Sequence, residues 1–167
     1  KMLPLFYGGG SNARFDKQGN ITLKNTPEKF EAGTPSIEGV LGLSAAIDYL
    51  RDIGMDNVLM HEEELSKYLL TKLHELNNVI IYNPSVKSGI IALNVKNIFS
   101  QDVAAYLDHH HIAVRSGNHC AKILNNVIQV TDTIRCSLYI YNTKEDIDEF
   151  IRVLKDETLE KCIDLII

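Results

Sequence analysis

Between residues 36 and 53 the apolar positions repeat at helical spacing. Ile37, Val40, Leu41, Ser44, Ala45, Ile47 and Leu50 fall on one face of a 3.6-residue period. Ser36 is placed to cap this helix, Glu38 lies in its first turn and Gly54 stops it. A second helix is predicted over 56–76, with Leu59, Leu65, Leu69, Leu73 and Leu76 inward and His61-Glu62-Glu63-Glu64 toward water. The pattern then changes. Val79 to Tyr82 reads as a strand closed by Asn83-Pro84, and Ile90 to Val95 as a stronger one. Ser100 is placed to cap a helix reaching about His110. Ile112 to Val114 reads as a strand, and Thr133 to Leu138 as the last. Asn142-Thr143 opens a final helix to about Leu154, with Glu145 and Asp146 where the helix dipole favours acids. The tail 156–167 either continues this helix or frays.

Residues 1–35 read differently. Pro4, Gly8-Gly9-Gly10, Pro27, Gly33 and Pro35 interrupt them, with one short candidate strand at Ile21 to Lys24. They are expected to form an irregular arm or hairpin that packs on something else, such as another subunit. Residues 36–167 are expected to form a domain, with helix 36–53 linking the two. The order helix, helix, strand, strand, helix, strand, loop, strand, helix gives an α+β fold. It predicts a two-layer domain: a small antiparallel or mixed sheet covered by helices on one face.

Composition narrows the function classes. The 167 residues are 45% hydrophobic and 23% charged, the balance of a globular chain. The net charge of -5 argues against binding a nucleic-acid backbone, and no apolar run approaches the length of a bilayer span. Three cysteines suggest neither a disulfide framework nor a zinc pattern, so a reducing cytoplasm is expected.

The candidate chemistry centres on Arg115-Ser116-Gly117-Asn118-His119-Cys120, read together with Arg135. The six residues turn on Gly117 and deliver Cys120 to a loop. Cationic and imidazole neighbours favour a thiolate, the nucleophilic form. The alternative is a small core cysteine. Arg135 lies mid-strand, where it either holds an anion, such as a carboxylate gripped bidentately, or marks an edge-strand surface. His109-His110-His111 suit a helix C-terminus and give no metal-ligand spacing. Gly8-Gly9-Gly10-Ser11 lacks the strand and helix that a phosphate-binding loop requires. Gly33-Thr34-Pro35 either sets a hydroxyl and an amide at a helix N-terminus that welcomes an anion or is an ordinary helix entry. Cys136 alternates to the face opposite Arg135 and is expected in the core. Cys162 is expected to be incidental.

Four ordered stretches carry a resemblance: Phe30 to Pro35, Gly39 to Leu50, Ile112 to Ala121, and Ile134 to Thr143. Together with the Gly8-Gly9-Gly10 run, they resemble the C-terminal part of a Suf-type cysteine desulfurase, a pyridoxal-phosphate (PLP) enzyme of the class V aminotransferase group. The resemblance implies an enzyme that converts L-cysteine to L-alanine and leaves a persulfide on Cys120, for iron-sulfur cluster assembly. It implies that Arg135 clamps the substrate carboxylate and that Arg115 and His119 line the site beside the thiol. Thr34 would reach the PLP phosphate of the opposite subunit of a homodimer. A sulfur-acceptor protein is the implied partner, and no metal is implied.

The match has departures. The family commonly has threonine at the Ser116 position, histidine at Asn118 and proline at Ile123, and the loss of one imidazole weakens proton transfer or thiol activation. The Schiff-base lysine of the family falls outside the matched region, and Lys1 is not a candidate. The chain therefore resembles a fragment that is inactive alone. Selenocysteine lyase and cysteine-sulfinate desulfinase share these residues and stand as alternatives, as does, from another class, a non-catalytic dimerisation or sulfur-carrier partner.

Overall fold

The computed structural model describes residues 2–85 and 88–155. The expectations for Lys1, for the tail 156–167 and for Cys162 lie outside the described residues. The chain divides into two compact units, one up to Asp52 and the other from Ile53.

The first unit holds a two-stranded antiparallel hairpin, β1 (Asn12–Phe15) and β2 (Ile21–Leu23), pairing Arg14 with Thr22 and Phe15 with Ile21. Its turn is closed by Asp16, whose carboxylate accepts from the Gln18 N–H at 2.9 Å and the Asn20 N–H at 2.8 Å. The side-chain amide of Asn20 bonds it as well, and these bonds hold the Asp16 carboxyl below its ordinary range. The glycine run lies against residues 31 and 32: the Gly10 N–H donates to the Ala32 carbonyl at 3.1 Å. A Cβ on Gly8 would sit 2.1 Å from the Ala32 oxygen, so the close approach excludes a side chain there.

Helix α1 (Ile37–Ile53) forms where the periodicity places it. Its apolar face does not behave as expected. No residue of α1 is buried, and Val40 and Leu41 are 63% and 65% exposed. Ser36 does not cap through its hydroxyl, which is bonded to the Glu38 carboxylate; its carbonyl accepts the Val40 N–H.

The second unit opens with α2 (Met55–His74), set off by Gly54 at φ +85°, a conformation that favours glycine. There follow β3 (Val79–Ile81), β4 (Ile90–Val95), α3 (Ser100–His109), β5 (Arg115–Gly117), α4 (Lys122–Val127), β6 (Thr133–Ser137) and α5 (Lys144–Leu154). The four strands form one sheet in the order β3-β4-β6-β5, and every neighbouring pair is antiparallel. This is the small α+β layer that the pattern predicts.

Alternation along the central strands sorts the two faces. Ile91, Leu93 and Val95 of β4 and Ile134 and Cys136 of β6 enter the core. They join Leu65, Leu69 and Leu73 of α2, Val103 and Leu107 of α3, and Ile147, Phe150 and Leu154 of α5. The intervening residues, Ala92, Asn94, Thr133 and Arg135, point to the opposite face. Helix α5 starts at a capping box: Thr143 accepts the Asp146 N–H and Asp146 accepts the Thr143 N–H. Leu93 has no exposed surface. Leu93→Ala is expected to cost about 2–5 kcal/mol of stability, read as a lowered denaturation midpoint, and an unchanged midpoint would contradict this core.

Four local expectations are corrected. The strand beside the cysteine loop is Arg115–Gly117 and not Ile112 to Val114. Ile112 and Val114 are half-buried against the core without strand pairing. Ser100 is the first residue of α3 rather than its cap; Phe99 holds that position. On α2, Leu59 is exposed and Val58 is buried in its place. His61 and Glu62 do not face water alone: His61 Nε2 lies 3.1 Å from the Asn142 carbonyl, and Glu62 accepts the Gly89 N–H at 3.3 Å.

Candidate active site

Of the predicted site residues, Arg115 pairs with Arg135 across β5 and β6, His119 bonds to Thr133 of β6, and Cys120 follows in the turn after β5. Arg135 sits on β6, a central strand, so the edge-strand alternative does not hold. Its partner across β5 is Arg115, and its partner across β4 is Ala92. Residues paired this way project to the same face. Two arginines therefore project to one face from adjacent strands, with alanine as the neighbour on the other flank. Like charges directly opposite one another repel unless an anion lies between them. The Arg135 Nε is shielded from solvent and has no hydrogen-bond partner among the described residues. A buried donor without an acceptor costs about 1–3 kcal/mol, which suits a group that waits for a ligand.

From Gly117 the chain leaves β5 in left-handed conformations: φ is +115° at Gly117, +52° at His119 and +55° at Cys120. Only glycine takes such angles freely, so the two following residues must be held by their surroundings. His119 Nε2 lies 2.9 Å from the Thr133 carbonyl and 3.0 Å from its hydroxyl. A carbonyl only accepts, so Nε2 carries the proton and Nδ1 is the acceptor of the neutral ring. That Nδ1 is buried without a partner among the described residues. The turn presents Cys120 as an exposed free thiol.

The other described cysteine behaves oppositely. Cys136 is buried in the core, and burial pushes its thiol up to about 12 from an ordinary value of 9.0. It stays protonated and inert at neutral pH. The raised value favours the folded state below pH 9.0, and this advantage is lost as pH climbs toward about 12. Iodoacetamide at mildly alkaline pH is expected to label Cys120 and spare Cys136 until the chain unfolds. Peptide mapping that finds both labelled at equal rates would contradict this assignment.

Sequence reasoning missed Thr133 and Asn125, both buried polar residues. Thr133 holds His119. Asn125 lies in the run Ile123-Leu124-Asn125-Asn126-Val127, where α4 buries the amide and leaves Ile123 82% and Val127 73% exposed. The signal was the polar interruption of an apolar run, which hydrophobic periodicity reads the wrong way round. Two of the three consecutive histidines at the end of α3 are in ring contact: His110 packs on Tyr106 at 4.7 Å and on His109 at 5.4 Å. Among the described residues no three His, Cys, Asp or Glu side chains are grouped to share a cation. No described helix is long and apolar enough to cross a membrane.

Thr34 belongs to the first unit. It is exposed and lines a hollow of about 470 Å³ floored by Gly9 and Gly10, with Lys24, Glu28 and Glu31 on its walls. The hydroxyl and the ammonium suit a phosphate, whereas the two carboxylates oppose one. The chain therefore offers one donor edge of a phosphate site and not a full cradle. The described lysines are exposed or half-buried. Taken separately, Arg135 suits a substrate carboxylate and Thr34 one phosphate contact of PLP, and neither supplies the amine that PLP binds covalently.

Residues 1–150 match the family model described as aminotransferase class-V. A probable cysteine desulfurase from Halalkalibacterium halodurans is 45% identical over 155 residues, covering 93% of this chain and 38% of that protein. Another from Synechocystis is 40% identical over 160 residues, covering 92% of this chain and 37% of that protein. Among solved structures, the apo cysteine desulfurase of Thermococcus onnurineus superposes with a TM-score of 0.84 at 37% identity, covering 95% of this chain and 40% of that one. The cysteine desulfurase CsdA of Escherichia coli gives 0.82 at 28% identity, covering 97% and 39%. The chain thus spans about two fifths of the length of the relatives it matches.

Proposed function

The chain belongs to the class-V aminotransferase family, and from that premise we propose that it carries the sulfur-accepting part of a PLP-dependent cysteine desulfurase. The observation that carries the reading is the exposed Cys120 on a constrained turn that follows β5, the strand whose Arg115 pairs with Arg135 of β6. The reaction that fits converts L-cysteine to L-alanine. PLP, when bound, supplies the electron sink for the pair of the breaking C–S bond.

The residues of this chain do the rest. Arg135 receives the substrate carboxylate with its fork of donors, and Arg115 adds positive charge next to it. This places the substrate sulfur near the turn that bears Cys120. The Cys120 thiolate forms the new S–S bond to that sulfur as the substrate C–S bond breaks, and it retains the sulfur as a persulfide. The alanine carbon takes up a proton. Thr34 donates its hydroxyl to the cofactor phosphate, toward the opposite subunit of a homodimer. The chain spans about two fifths of its relatives' length, and the Schiff-base lysine of such an enzyme would fall outside the part matched here.

The persulfide is passed to an acceptor thiol, for iron-sulfur cluster assembly in the cytoplasm. The test is alanine release from L-cysteine in the protein at the full length of its relatives, loaded with PLP. Release of alanine with equimolar transferable sulfur supports the reading, and no release would overturn it.

A further inference from the structure

We propose that Asn125 is the positioning residue of the Cys120 turn. The inference rests on the reading of Cys120 as the sulfur acceptor. Asn125 is 4% exposed, although it sits in a six-residue helix with three exposed apolar neighbours. A primary amide in that place is costly unless its hydrogens are used, and both are. Its Nδ2 donates to the Asn118 side-chain oxygen at 3.0 Å and to the Thr131 carbonyl at 3.3 Å.

Its backbone is used as well. The Asn125 N–H donates to the Ala121 carbonyl at 3.1 Å, and the Asn125 carbonyl accepts the Val130 N–H at 3.0 Å. One residue thus holds the turn at Asn118 before Cys120 and at Ala121 after it. It ties both to the segment that enters β6, the strand of Arg135. The Ala121 N–H closes the turn on the Asn118 carbonyl at 2.8 Å. His119 completes the clamp from the other side by donating to Thr133. The left-handed backbone at His119 and Cys120 is held by this frame. The distance between the thiol and the carboxylate clamp is set through Asn125 as a consequence.

Asn125→Leu keeps the branched shape and the number of heavy atoms and removes the amide. Asn118→Ala cuts the same link from an exposed side chain, so it tests the idea even where the buried substitution harms folding. In the 167-residue chain, amide hydrogen exchange at Ala121 and Asn125 is expected to quicken by about tenfold or more in either variant, while Ile91 and Ile134 keep their protection. In the full-length PLP-loaded protein, kcat is expected to fall by about 10- to 100-fold with KM nearly unchanged, as a misplacement of reacting atoms predicts.

The double variant is expected to match Asn125→Leu alone, because both act through one link. An unchanged kcat in Asn118→Ala, or additive losses in the double variant, would overturn the proposal. So would exchange that quickens equally across β4 and β6. Absence of alanine release in the unmodified protein would sink the desulfurase reading instead, and the exchange pattern would still decide whether Asn125 holds the turn.

Discussion

Cys120→Ala is expected to lower alanine release from L-cysteine by about 10³-fold or more, a loss of roughly 4 kcal/mol of transition-state stabilisation. Among the described residues no other cysteine is exposed. Cys136 alternates to the core side of β6, and burial holds it protonated up to about 12. The fold should be untouched, because Cys120 is exposed and its neighbours carry the hydrogen bonds of the turn. The measurement is single-turnover alanine formation with the melting midpoint recorded beside it. Alanine formed at the unmodified rate would demote Cys120 to a surface residue.

Arg135→Ala is expected to reduce kcat/KM for L-cysteine by roughly 10²-fold, the effect of losing about 3 kcal/mol from a desolvated carboxylate contact. Arg135→Lys should recover only part of this, since an ammonium offers a point charge where the site is built for a fork. A second readout separates a clamp from a structural residue. Without substrate, Arg135 faces Arg115 and leaves Nε unpartnered. Removing it should therefore not lower stability, and the melting midpoint should hold or rise. A variant that loses stability and keeps kcat/KM would show that Arg135 serves the fold and not the substrate.

Much of this architecture was legible in the chain, for identifiable reasons. β4 could be read residue by residue because Ile91, Leu93 and Val95 alternate with less buried positions on a sheet with one packed face. α5 could be read because Thr143 and Asp146 form its cap locally. Arg135 stood out because a charge in a strand needs a reason, and the sheet order supplied it by placing β6 between β4 and β5.

What escaped depended on partners distant in sequence or outside the described residues. The apolar stripe of α1 predicted a buried face, and none of its residues is buried among the described ones. Periodicity reveals an amphipathic face but not what covers it. The expected strand lies three residues before β5 because Ile112 and Val114 are apolar, whereas the pairing falls on the polar Arg115 to Gly117. Register is fixed by the neighbouring strand and not by local hydrophobicity alone. Asn125 and Thr133 were missed because a buried amide and a buried hydroxyl have no signature until their acceptors are in place.

The central claim is that Cys120 takes the sulfur of the substrate. The direct measurement is peptide mapping of the full-length, PLP-loaded protein after one turnover with isotopically labelled L-cysteine. The account predicts one labelled sulfur atom added to the peptide bearing Cys120 and none on the peptide bearing Cys136. Labelled sulfur on any other residue, or alanine formed with no sulfur on Cys120, would contradict it.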